Sequence, residues 1–309
     1  MKVCIFFRGY VEVDAPLWAH DLQEALPEHE VKVWQEGDAP ADYAVTWRAT
    51  QAFIDHQTRL RALFNAGAGV DALLQLQLPQ TLQVVRIEDS GMAQQMIEYV
   101  SHALLRFYRE FDFYAQQQAH GLWEPRQVRD KQAFPVGILG LGVLGRQVAQ
   151  AVQQLGFPVA GWSRTAKQGL SFACHAGDDG LHHLLSSSRI LVCLLPLTSA
   201  TQGIINARTL ALLKPDGYLI NIARGGHVVE PDLLAALDQG TLAGAMLDVF
   251  AQEPLPLEHP FWKHPKVTIT PHVAAVTPRA NTIRQIAEKI RLLDRGETVS
   301  GVVDKQLGY

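Results

Sequence analysis

The chain of 309 residues has few cysteines, little net charge and no long apolar run. Cys4, Cys174 and Cys193 are far apart and lack metal-binding spacing, so we expect reduced structural thiols and no metal site. A net charge of −4 argues against a general nucleic-acid binder, which would need a basic face. No run is long enough to span a membrane, and the N-terminus lacks a signal-peptide pattern. These absences predict a soluble, cytoplasmic protein that binds neither nucleic acid nor membrane.

Short apolar runs alternate with helical patterns along the chain, which is 48% hydrophobic. Alternation of this kind predicts parallel sheets covered by helices on both faces. A first set of runs ends at Ile87 and a second begins at Phe134, so we expect two α/β units joined near residue 100. The predicted strands are Lys2–Phe7, Val31–Trp34, Ala44–Trp47, Leu63–Asn65, Val84–Ile87, Val136–Gly140, Val159–Trp162, Ile190–Leu195, Tyr218–Ile222, Ala245–Val249 and Val267–Thr270.

One helical pattern is much longer than the others. Met92–Gln118 repeats apolar residues at helical spacing without a break, and the polar segment Gly121–Lys131 after it is typical of a linker. His182 and His183 have no cysteine or carboxylate nearby at ligand spacing, which favours a partly exposed helix face over a metal site. The other predicted helices include Leu17–Leu26, Gln51–Arg59, Val143–Leu155 and Pro278–Leu293.

A glycine-rich turn separates the predicted strand Val136–Gly140 from the predicted helix Val143–Leu155. Gly140, Gly142 and Gly145 have the G-x-G-x-x-G spacing of a dinucleotide-binding loop. In such loops the first glycine permits a tight turn, the second lets the backbone approach pyrophosphate, and the third lets helix and strand pack closely. The helix N-terminus then offers N–H groups to the phosphates. The strand–loop–helix context therefore predicts a dinucleotide site.

The residues after the next predicted strand indicate which dinucleotide binds. An acid at that point accepts hydrogen bonds from the ribose of NAD but would repel a 2′-phosphate. This chain has instead Ser163, Arg164, Thr165 and Lys167, whose polar and cationic groups suit a phosphate dianion. An exposed basic loop without a ligand is the simpler alternative. Together with the missing acid, the loop favours NADPH, with NADH as a weaker cofactor.

Arg224, Glu253 and His272 each follow a predicted strand of the second set. Ligands bind at the carboxyl ends of strands in open α/β sheets. An arginine can hold a carboxylate, a histidine can donate a proton near neutral pH, and a glutamate can orient that histidine. These groups suit the reduction of a 2-keto acid by hydride. Taken singly, each residue also fits a salt bridge, a solvated loop or a helix cap.

Motifs extend along almost the whole chain. They are LFNAGAGVD at 63–71, RIEDSGMAQQMIEYV at 86–100, GILGLGVLG at 137–145, LLPLT at 194–198, NIARGG at 221–226, LDVFAQEPLP at 247–256 and TPHVAAVT at 270–277. Together they resemble the D-2-hydroxyacid dehydrogenase family, and within it the short NADPH-dependent glyoxylate/hydroxypyruvate reductases. The resemblance implies two doubly wound parallel-sheet domains with a cleft between them. A flavodoxin-like substrate domain would comprise 1–98 plus 277–309, a Rossmann cofactor domain would comprise 99–276, and the chain would form a homodimer.

The resemblance also implies roles for individual residues. Arg224, Glu253 and His272 match the catalytic arginine, glutamate and histidine of the family. Trp47 resembles an aromatic residue of the substrate pocket, and Ala68 and Gly69 resemble the loop that, with the arginine, binds the substrate carboxylate. Asp248 would contact the nicotinamide carboxamide, and Pro196 and Thr198 would lie along the cofactor. The expected cofactor-binding residues are Gly140, Gly142, Leu144, Gly145, Ser163, Arg164, Thr165, Lys167, Pro196, Ala223 and Asp248.

The sequence thus predicts NADPH-dependent reduction of glyoxylate to glycolate and of hydroxypyruvate to D-glycerate, with His272 as general acid. Two alternatives stay open at this point. A dehydrogenase for a bulkier D-2-hydroxy acid would use the same three catalytic residues with a wider pocket. A dinucleotide-sensing regulatory protein is the alternative from another class, because a fold does not fix a function. The presence of all three catalytic residue types argues against the regulatory protein.

Overall fold

A computed structural model of the protein describes residues 1–9 and 11–309 and separates them into two compact units. The first unit comprises Met1–Met92 and Thr277–Tyr309, and the second comprises Ala93–Val276. The boundary that the sequence suggested after residue 98 lies inside the long helix that begins at Met92. The segment Gly121–Lys131, which had the composition of a linker, lies within the second unit. The roles of the two units as substrate and cofactor domains stay predictions.

Strands and helices alternate through both units. The elements before residue 92 are β1 (Lys2–Phe7), α1 (Ala15–Ala25), β2 (Glu30–Val33), β3 (Tyr43–Trp47), α2 (Gln51–His56), β4 (Ala62–Asn65) and β5 (Gln83–Val85). The later elements are α3 (Met92–Tyr108), α4 (Phe111–His120), β6 (Val136–Leu139), α5 (Val143–Gln154), β7 (Val159–Ser163), β8 (Ala173–Ala176), α6 (Gly177–Ser187), β9 (Ile190–Cys193), α7 (Ala207–Leu210), β10 (Gly217–Asn221), α8 (Glu230–Asp238), β11 (Leu242–Leu247), β12 (Val267–Ile269) and α9 (Arg279–Asp294).

The first unit is built on a five-stranded sheet in the order β2-β1-β3-β4-β5, in which each pair of neighbours is parallel. This order is that of flavodoxin-like folds. Cys4, Ala44 and Leu63 are buried along the sheet. The last helix, α9, packs in this unit against α1 and buries the apolar face that its periodicity predicted, including Ile286 and Ile290.

The second unit is built on a seven-stranded parallel sheet in the order β12-β11-β10-β9-β6-β7-β8. The strand order reverses between β6 and β9, as in Rossmann folds, and this is where dinucleotides bind. β6, β9 and β10 are buried along their whole length. Buried parallel strands read as continuous apolar runs, which is why the sequence predicted them. The predicted α/β fold with two parallel sheets is confirmed.

The uninterrupted helix predicted over Met92–Gln118 is wrong, because the chain forms two helices there. α3 ends at Tyr108 and α4 begins at Phe111, and Glu110 between them has the left-handed φ of 55°. The Glu110 carboxylate pairs with Arg126 and Arg129 from the extended segment after α4. The apolar pattern continues through this break, so helical spacing alone could not reveal it.

The cysteines and the pair His182 and His183 were considered in the sequence as possible metal ligands. All three cysteines are free thiols, and burial raises the pKa of Cys4 and of Cys193 to about 12. His182 and His183 lie exposed on α6, as the sequence suggested. Among residues 1–9 and 11–309, no group of three or more metal-binding side chains occurs. No helix in these ranges has both the length and the apolar content needed to cross a bilayer.

Candidate active site

The glycine loop after β6 has a conformation that side chains would prevent. Gly140 has a φ of +102°, which favours glycine, and a Cβ there would lie 2.7 Å from the Leu194 carbonyl oxygen after β9. A Cβ on Gly145 would overlap the Gly140 carbonyl oxygen. Both positions therefore require glycine so that the loop, α5 and the neighbouring strand can pack together.

Gly142 differs from the other two glycines of the loop. It is the N-cap of α5, and an added Cβ would meet no protein atom within 4 Å. As a glycine it has no side chain that could cap the N–H groups of the first helical turn, where Leu144 also lies. These N–H groups and the positive end of the helix dipole suit an anion. The protein's own packing therefore does not require glycine here, and the open space beside Gly142 would let a ligand approach the backbone.

The loop after β7 carries the residues expected to bind a 2′-phosphate. Ser163 is buried, and its hydroxyl donates to the Thr165 carbonyl oxygen over 2.7 Å. The Lys167 N–H donates over 3.4 Å to the sulfur of Cys174 in β8. The side chains of Arg164 and Thr165 are exposed. Ser163 therefore shapes this loop, while the side chains of Arg164 and Thr165 lie at the surface. Because β7 pairs with β6, the loop lies beside the glycine loop.

Arg224 follows β10 in a loop that buried groups hold in place. The fully buried Asn221 donates from Nδ2 to the Arg224 carbonyl oxygen over 3.0 Å and accepts the Ala223 N–H over 3.2 Å. The Arg224 guanidinium donates to the Ala223 carbonyl oxygen over 2.7 Å. A Cβ on Gly225 would overlap the backbone of Phe250, so the arginine loop packs directly on the loop after β11.

A fully buried histidine joins the arginine loop to the loop after β9. Nδ1 of His227 lies 3.0 Å from the Arg224 carbonyl oxygen, and Nε2 lies 3.3 Å from the Pro196 carbonyl oxygen. The Thr201 hydroxyl donates to the same Pro196 oxygen over 2.7 Å, and it accepts the Thr198 N–H over 2.9 Å. A predicted catalytic residue and a predicted cofactor residue thus belong to one hydrogen-bonded assembly.

The structure brings Glu253 and His272 into direct contact. Nδ1 of His272 lies 2.8 Å from one Glu253 oxygen, and the other oxygen accepts the Phe250 N–H over 3.0 Å. The side chains of His272 and Glu253 are 43% and 30% exposed. Because Nδ1 faces the glutamate, Nε2 is the ring atom that can exchange a proton with a substrate. Phe250 also supports the arginine loop, so one short backbone segment connects all three predicted catalytic residues.

Opposing effects set the ionisation of Glu253. Burial alone would raise the pKa of Glu253, but hydrogen bonds from His272 and from the Phe250 N–H lower it, as do the positive charges of His272 and Arg224. The net result is a pKa below the ordinary glutamate value, so Glu253 is a carboxylate at neutral pH. The influence of Arg224 on Glu253 places the three residues in one electrostatic group.

Asp248 lies at the end of β11 and is almost fully buried, with 1% of its surface exposed. Its carboxylate accepts hydrogen bonds from the Thr270 hydroxyl over 2.6 Å and from the N–H groups of Val273 and Ala274 over 2.8 Å each. All three donors belong to the loop that carries His272. The structure thus surrounds Asp248 with that loop, and the contact with the nicotinamide carboxamide that the resemblance implies for Asp248 stays a prediction.

The first unit places Trp47 and the segment 67–69 together. The Asn65 amide donates to the carbonyl oxygens of Gly67 and Gly69 over 3.1 and 2.7 Å. A Cβ on Gly67 would lie 2.7 Å from the Trp47 ring, so that ring packs directly on the loop. Within the described ranges, no hydrogen bond engages the N–H groups of Ala68 and Gly69. These amides are therefore available to an anionic ligand.

Comparison with known proteins identifies the family. The model of the D-isomer specific 2-hydroxyacid dehydrogenase, NAD binding domain, matches residues 101–274. The chain belongs to this family. It is 46% identical to glyoxylate/hydroxypyruvate reductase A of Serratia proteamaculans over 99% of both chains, and 46% identical to the protein of that name from Klebsiella pneumoniae over 100% of both.

Solved structures of family members resemble this dehydrogenase over its full length. A D-isomer specific 2-hydroxyacid dehydrogenase from Xanthobacter autotrophicus, in complex with NADPH and MES, has a TM-score of 0.92 and 37% identity, with 99% of both chains covered. An NADPH-dependent glyoxylate/hydroxypyruvate reductase from Sinorhizobium meliloti, in complex with NADP and sulfate, has a TM-score of 0.92 and 34% identity, with 100% and 99% covered. The family indicated by the sequence motifs is therefore confirmed, and the chain is an oxidoreductase.

Three polar residues of the dehydrogenase escaped the sequence reasoning, although they shape the candidate site. Asn221 ends the buried strand β10 and Thr270 follows the half-buried strand β12, and the position at a strand end was a usable signal for both. His227 follows the arginine motif directly, but nothing in the sequence reveals that it is fully buried between two carbonyl oxygens. The roles of Arg224 and His272 themselves stay predictions.

Proposed function

We propose that this dehydrogenase uses NADPH to reduce glyoxylate to glycolate and hydroxypyruvate to D-glycerate. The observation that carries the proposal is the Glu253–His272 pair, grouped electrostatically with Arg224 at the carboxyl edge of a Rossmann sheet. Relatives that are named glyoxylate/hydroxypyruvate reductase A and share 46% identity over nearly the whole chain support the choice of substrate. The NADPH and NADP complexes of similar structures support the choice of cofactor.

Each residue of the group has a distinct task in this reaction. Arg224 binds the substrate carboxylate, to which the amides of Ala68 and Gly69 also donate, and Trp47 contacts the rest of the substrate. NADPH, when bound, would supply the hydride to the keto carbon. His272 donates its Nε2 proton to the keto oxygen as negative charge develops there. Glu253 keeps the Nδ1 proton in place and faces the positive charge of the ring before the transfer.

The chain's own residues suit the dinucleotide. The N–H groups at the start of α5 would bind its pyrophosphate, and Gly142 would let the backbone approach closely. Arg164, Thr165 and Lys167 would hold the 2′-phosphate. Pro196, Ala223 and other residues at the carboxyl edge of the sheet would line the remainder of the cofactor.

A panel of three keto acids tests the substrate. With NADPH held constant, we expect turnover of glyoxylate and hydroxypyruvate and a kcat/KM at least about tenfold lower for phenylpyruvate, because a pocket for small acids excludes the ring. Initial rates of NADPH oxidation measure this. A preference for phenylpyruvate would instead identify a dehydrogenase for bulkier D-2-hydroxy acids. NADPH binding without any turnover would favour a regulatory protein.

Two alanine substitutions in the glycine loop should affect different properties, one the affinity for NADPH and the other the thermal stability. Gly142→Ala is expected to weaken NADPH binding by about tenfold, because its methyl group would enter the space that a phosphate approaches, and to leave the thermal midpoint near that of the parent. Gly145→Ala is the matched control and is expected to lower the thermal midpoint, because its Cβ would overlap the Gly140 carbonyl. Fluorescence titration and thermal unfolding measure the two effects. Unchanged NADPH affinity in Gly142→Ala would contradict this location for the phosphates.

The pH dependence of reduction follows from the lowered pKa of Glu253. A carboxyl whose pKa is depressed in the folded protein stays charged as the pH falls through the ordinary glutamate value of about 4.3, and loses its charge below it. When initial rates are measured between about pH 4 and pH 8, protonation of Glu253 is therefore expected to lower the rate only below about pH 4.3. The Glu253→Gln variant should be slower throughout and lack that acid limb. A limb that starts above about pH 5 and disappears in Glu253→Gln would contradict this ionisation.

We also propose that the protein is a cytoplasmic homodimer that associates through its second unit, as the family resemblance implies. Trp123 and Val128 in the segment 121–131 are each 96% exposed, and exposed apolar side chains of this kind suit a protein interface. The double variant Trp123→Ser, Val128→Ser is expected to shift light scattering from dimer to monomer. A parent protein that is already monomeric would contradict the proposal. Cell fractionation tests the location.

A further inference from the structure

A chain of hydrogen bonds leads from α3 to the end of β11. The Tyr99 hydroxyl lies 2.6 Å from Thr270 Oγ1, and the Thr270 hydroxyl donates to Asp248 Oδ1 over 2.6 Å. Thr270 has a single hydroxyl proton, which goes to the carboxylate, so Tyr99 must donate to Thr270. Burial, the largest influence, raises the pKa of Tyr99 to about 12, so its hydroxyl keeps the proton that this bond needs. Each hydrogen bond in this series therefore runs in one direction, from Tyr99 to Thr270 and from Thr270 to Asp248.

Asp248 connects these hydrogen bonds to the loop that carries His272. Its Oδ1 also accepts the Val273 N–H, and its Oδ2 accepts the Ala274 N–H, each over 2.8 Å. Its backbone carbonyl accepts the His272 N–H over 2.8 Å. Hydrogen bonds to an ionised acceptor are roughly twice as strong as neutral ones. Asp248 therefore holds the loop on both sides of His272.

The backbone of His272 needs such support. Its φ of 57° is in the left-handed region, which residues other than glycine seldom adopt. A conformation of this kind persists only when its surroundings impose it. The donors to Asp248 lie two residues before His272 and one and two residues after it, so they are placed to impose it. A shift of this backbone would move the imidazole away from both Glu253 and the substrate.

We propose that Tyr99, Thr270 and Asp248 are positioning residues that hold His272 in its proton-donating geometry. The inference rests on the proposed role of His272 as general acid. It differs from the contact with the nicotinamide carboxamide that the family resemblance implies for Asp248, because bonds to the His272 loop engage both carboxylate oxygens. Tyr99 and Thr270 would act on His272 through Asp248.

Substitutions in the hydrogen-bond series Tyr99–Thr270–Asp248 should lower kcat, and the effect should be smaller at the outer residue Tyr99 than at Thr270. Thr270→Val removes the hydroxyl that links Tyr99 to Asp248, and we expect kcat for hydroxypyruvate to fall about 10- to 100-fold, because a small misplacement of a catalytic group has effects of this order. Thr270→Ser keeps the hydroxyl and should restore kcat to within about twofold. Tyr99→Phe removes only the outermost hydrogen bond and should lower kcat about 3- to 10-fold.

Tyr108→Phe is the matched control, because it removes the same atom from the same helix. The Tyr108 hydroxyl donates to the Arg129 carbonyl oxygen rather than toward Asp248. Thermal unfolding should therefore show similar effects for Tyr108→Phe and Tyr99→Phe, whereas only Tyr99→Phe should lower kcat. The dissociation constant for NADPH should stay within about twofold in all four variants. In Thr270→Val the solvent deuterium isotope effect on kcat should rise, because proton donation then limits the rate more strongly.

Two results would overturn the inference. If Thr270→Val and Tyr99→Phe kept the parent kcat, the hydrogen-bond chain would not position His272. If they weakened NADPH binding and left kcat unchanged, Asp248 would act on the cofactor instead. Failure of the proposed function is distinguishable from both. His272→Gln with normal turnover would remove the general acid and this inference with it, whereas an inactive His272→Gln beside a fully active Thr270→Val would remove the inference alone.

Discussion

Replacement of His272 by glutamine is expected to lower kcat for hydroxypyruvate reduction by about 100- to 10,000-fold, the range typical of a lost general acid. Glutamine can still form a hydrogen bond near Glu253, but it has no ionisable proton to donate to the keto oxygen. NADPH binding should change by no more than about twofold, because the imidazole bonds to Glu253 and not to the glycine loop. Steady-state rates and a fluorescence titration of NADPH measure the two quantities.

His182→Gln is the control for this variant. His182 is an exposed histidine on α6 of the same unit, and its replacement should leave kcat and KM unchanged. The kcat of Glu253→Gln should lie between those of the two histidine variants, because this substitution leaves His272 in place but removes the carboxylate that orients it. Near-parent turnover by His272→Gln would mean that another group donates the proton.

Replacement of Arg224 by glutamine is expected to lower kcat/KM for the keto acid by about 100- to 1,000-fold, mainly through KM. A guanidinium can form two parallel charge-assisted hydrogen bonds with a carboxylate, each worth about 1.5–3 kcal/mol. Arg224→Lys keeps the charge but loses the planar fork, so it should recover only part of this loss. The measurement is a saturation curve for hydroxypyruvate with NADPH in excess.

Arg208→Gln provides the matched control for the arginine variants. Arg208 is exposed on α7 and lies outside the hydrogen-bonded assembly around Arg224. Its replacement removes the same charge from the same unit, and KM should not change. If Arg224→Gln and Arg208→Gln had equal effects on KM, Arg224 would contribute only to the general charge of the protein and would not bind the substrate carboxylate.

Much of the fold could be predicted because the central strands of its sheets are buried on both faces. β6, β9 and β10 are continuous apolar runs, and each predicted strand forms with boundaries shifted by at most three residues. β8 was missed because its four residues, ACHA, are short, polar in part and at the edge of the sheet. The break at Glu110 was missed because it depends on ion pairs with Arg126 and Arg129, which no local pattern encodes.

The candidate site was predictable to the level of its residue types and positions. Arg224, Glu253 and His272 stand out because they are polar residues that follow parallel strands, whose carboxyl ends share one edge. Their mutual distances were not predictable. These depend on the close packing of Gly225 on Phe250, on the bond from Phe250 to Glu253, and on the left-handed backbone of His272. Such features arise from tertiary packing and leave no periodic signal.

The residues that support the site were harder to predict than the residues within it. Tyr99 lies at an apolar spacing of α3, so its sequence position suggests packing alone, yet its hydroxyl reaches Thr270. Asp248 follows a buried strand as a cofactor contact would, and only the structure shows that its donors belong to the His272 loop. A buried polar group signals a partner, but the partner's identity is a long-range property of the fold.

Initial rates of NADPH and NADH oxidation, each with hydroxypyruvate and with glyoxylate, test the central claim most directly. The proposed function predicts turnover of both acids, with kcat/KM at least about tenfold higher for NADPH, because Arg164, Thr165 and Lys167 would bind its 2′-phosphate. A preference for NADH with turnover intact would contradict the role of the loop after β7, but it would not contradict the roles of Arg224, Glu253 and His272. No oxidation of either cofactor with either acid, in a protein that binds NADPH, would contradict the proposed reaction itself.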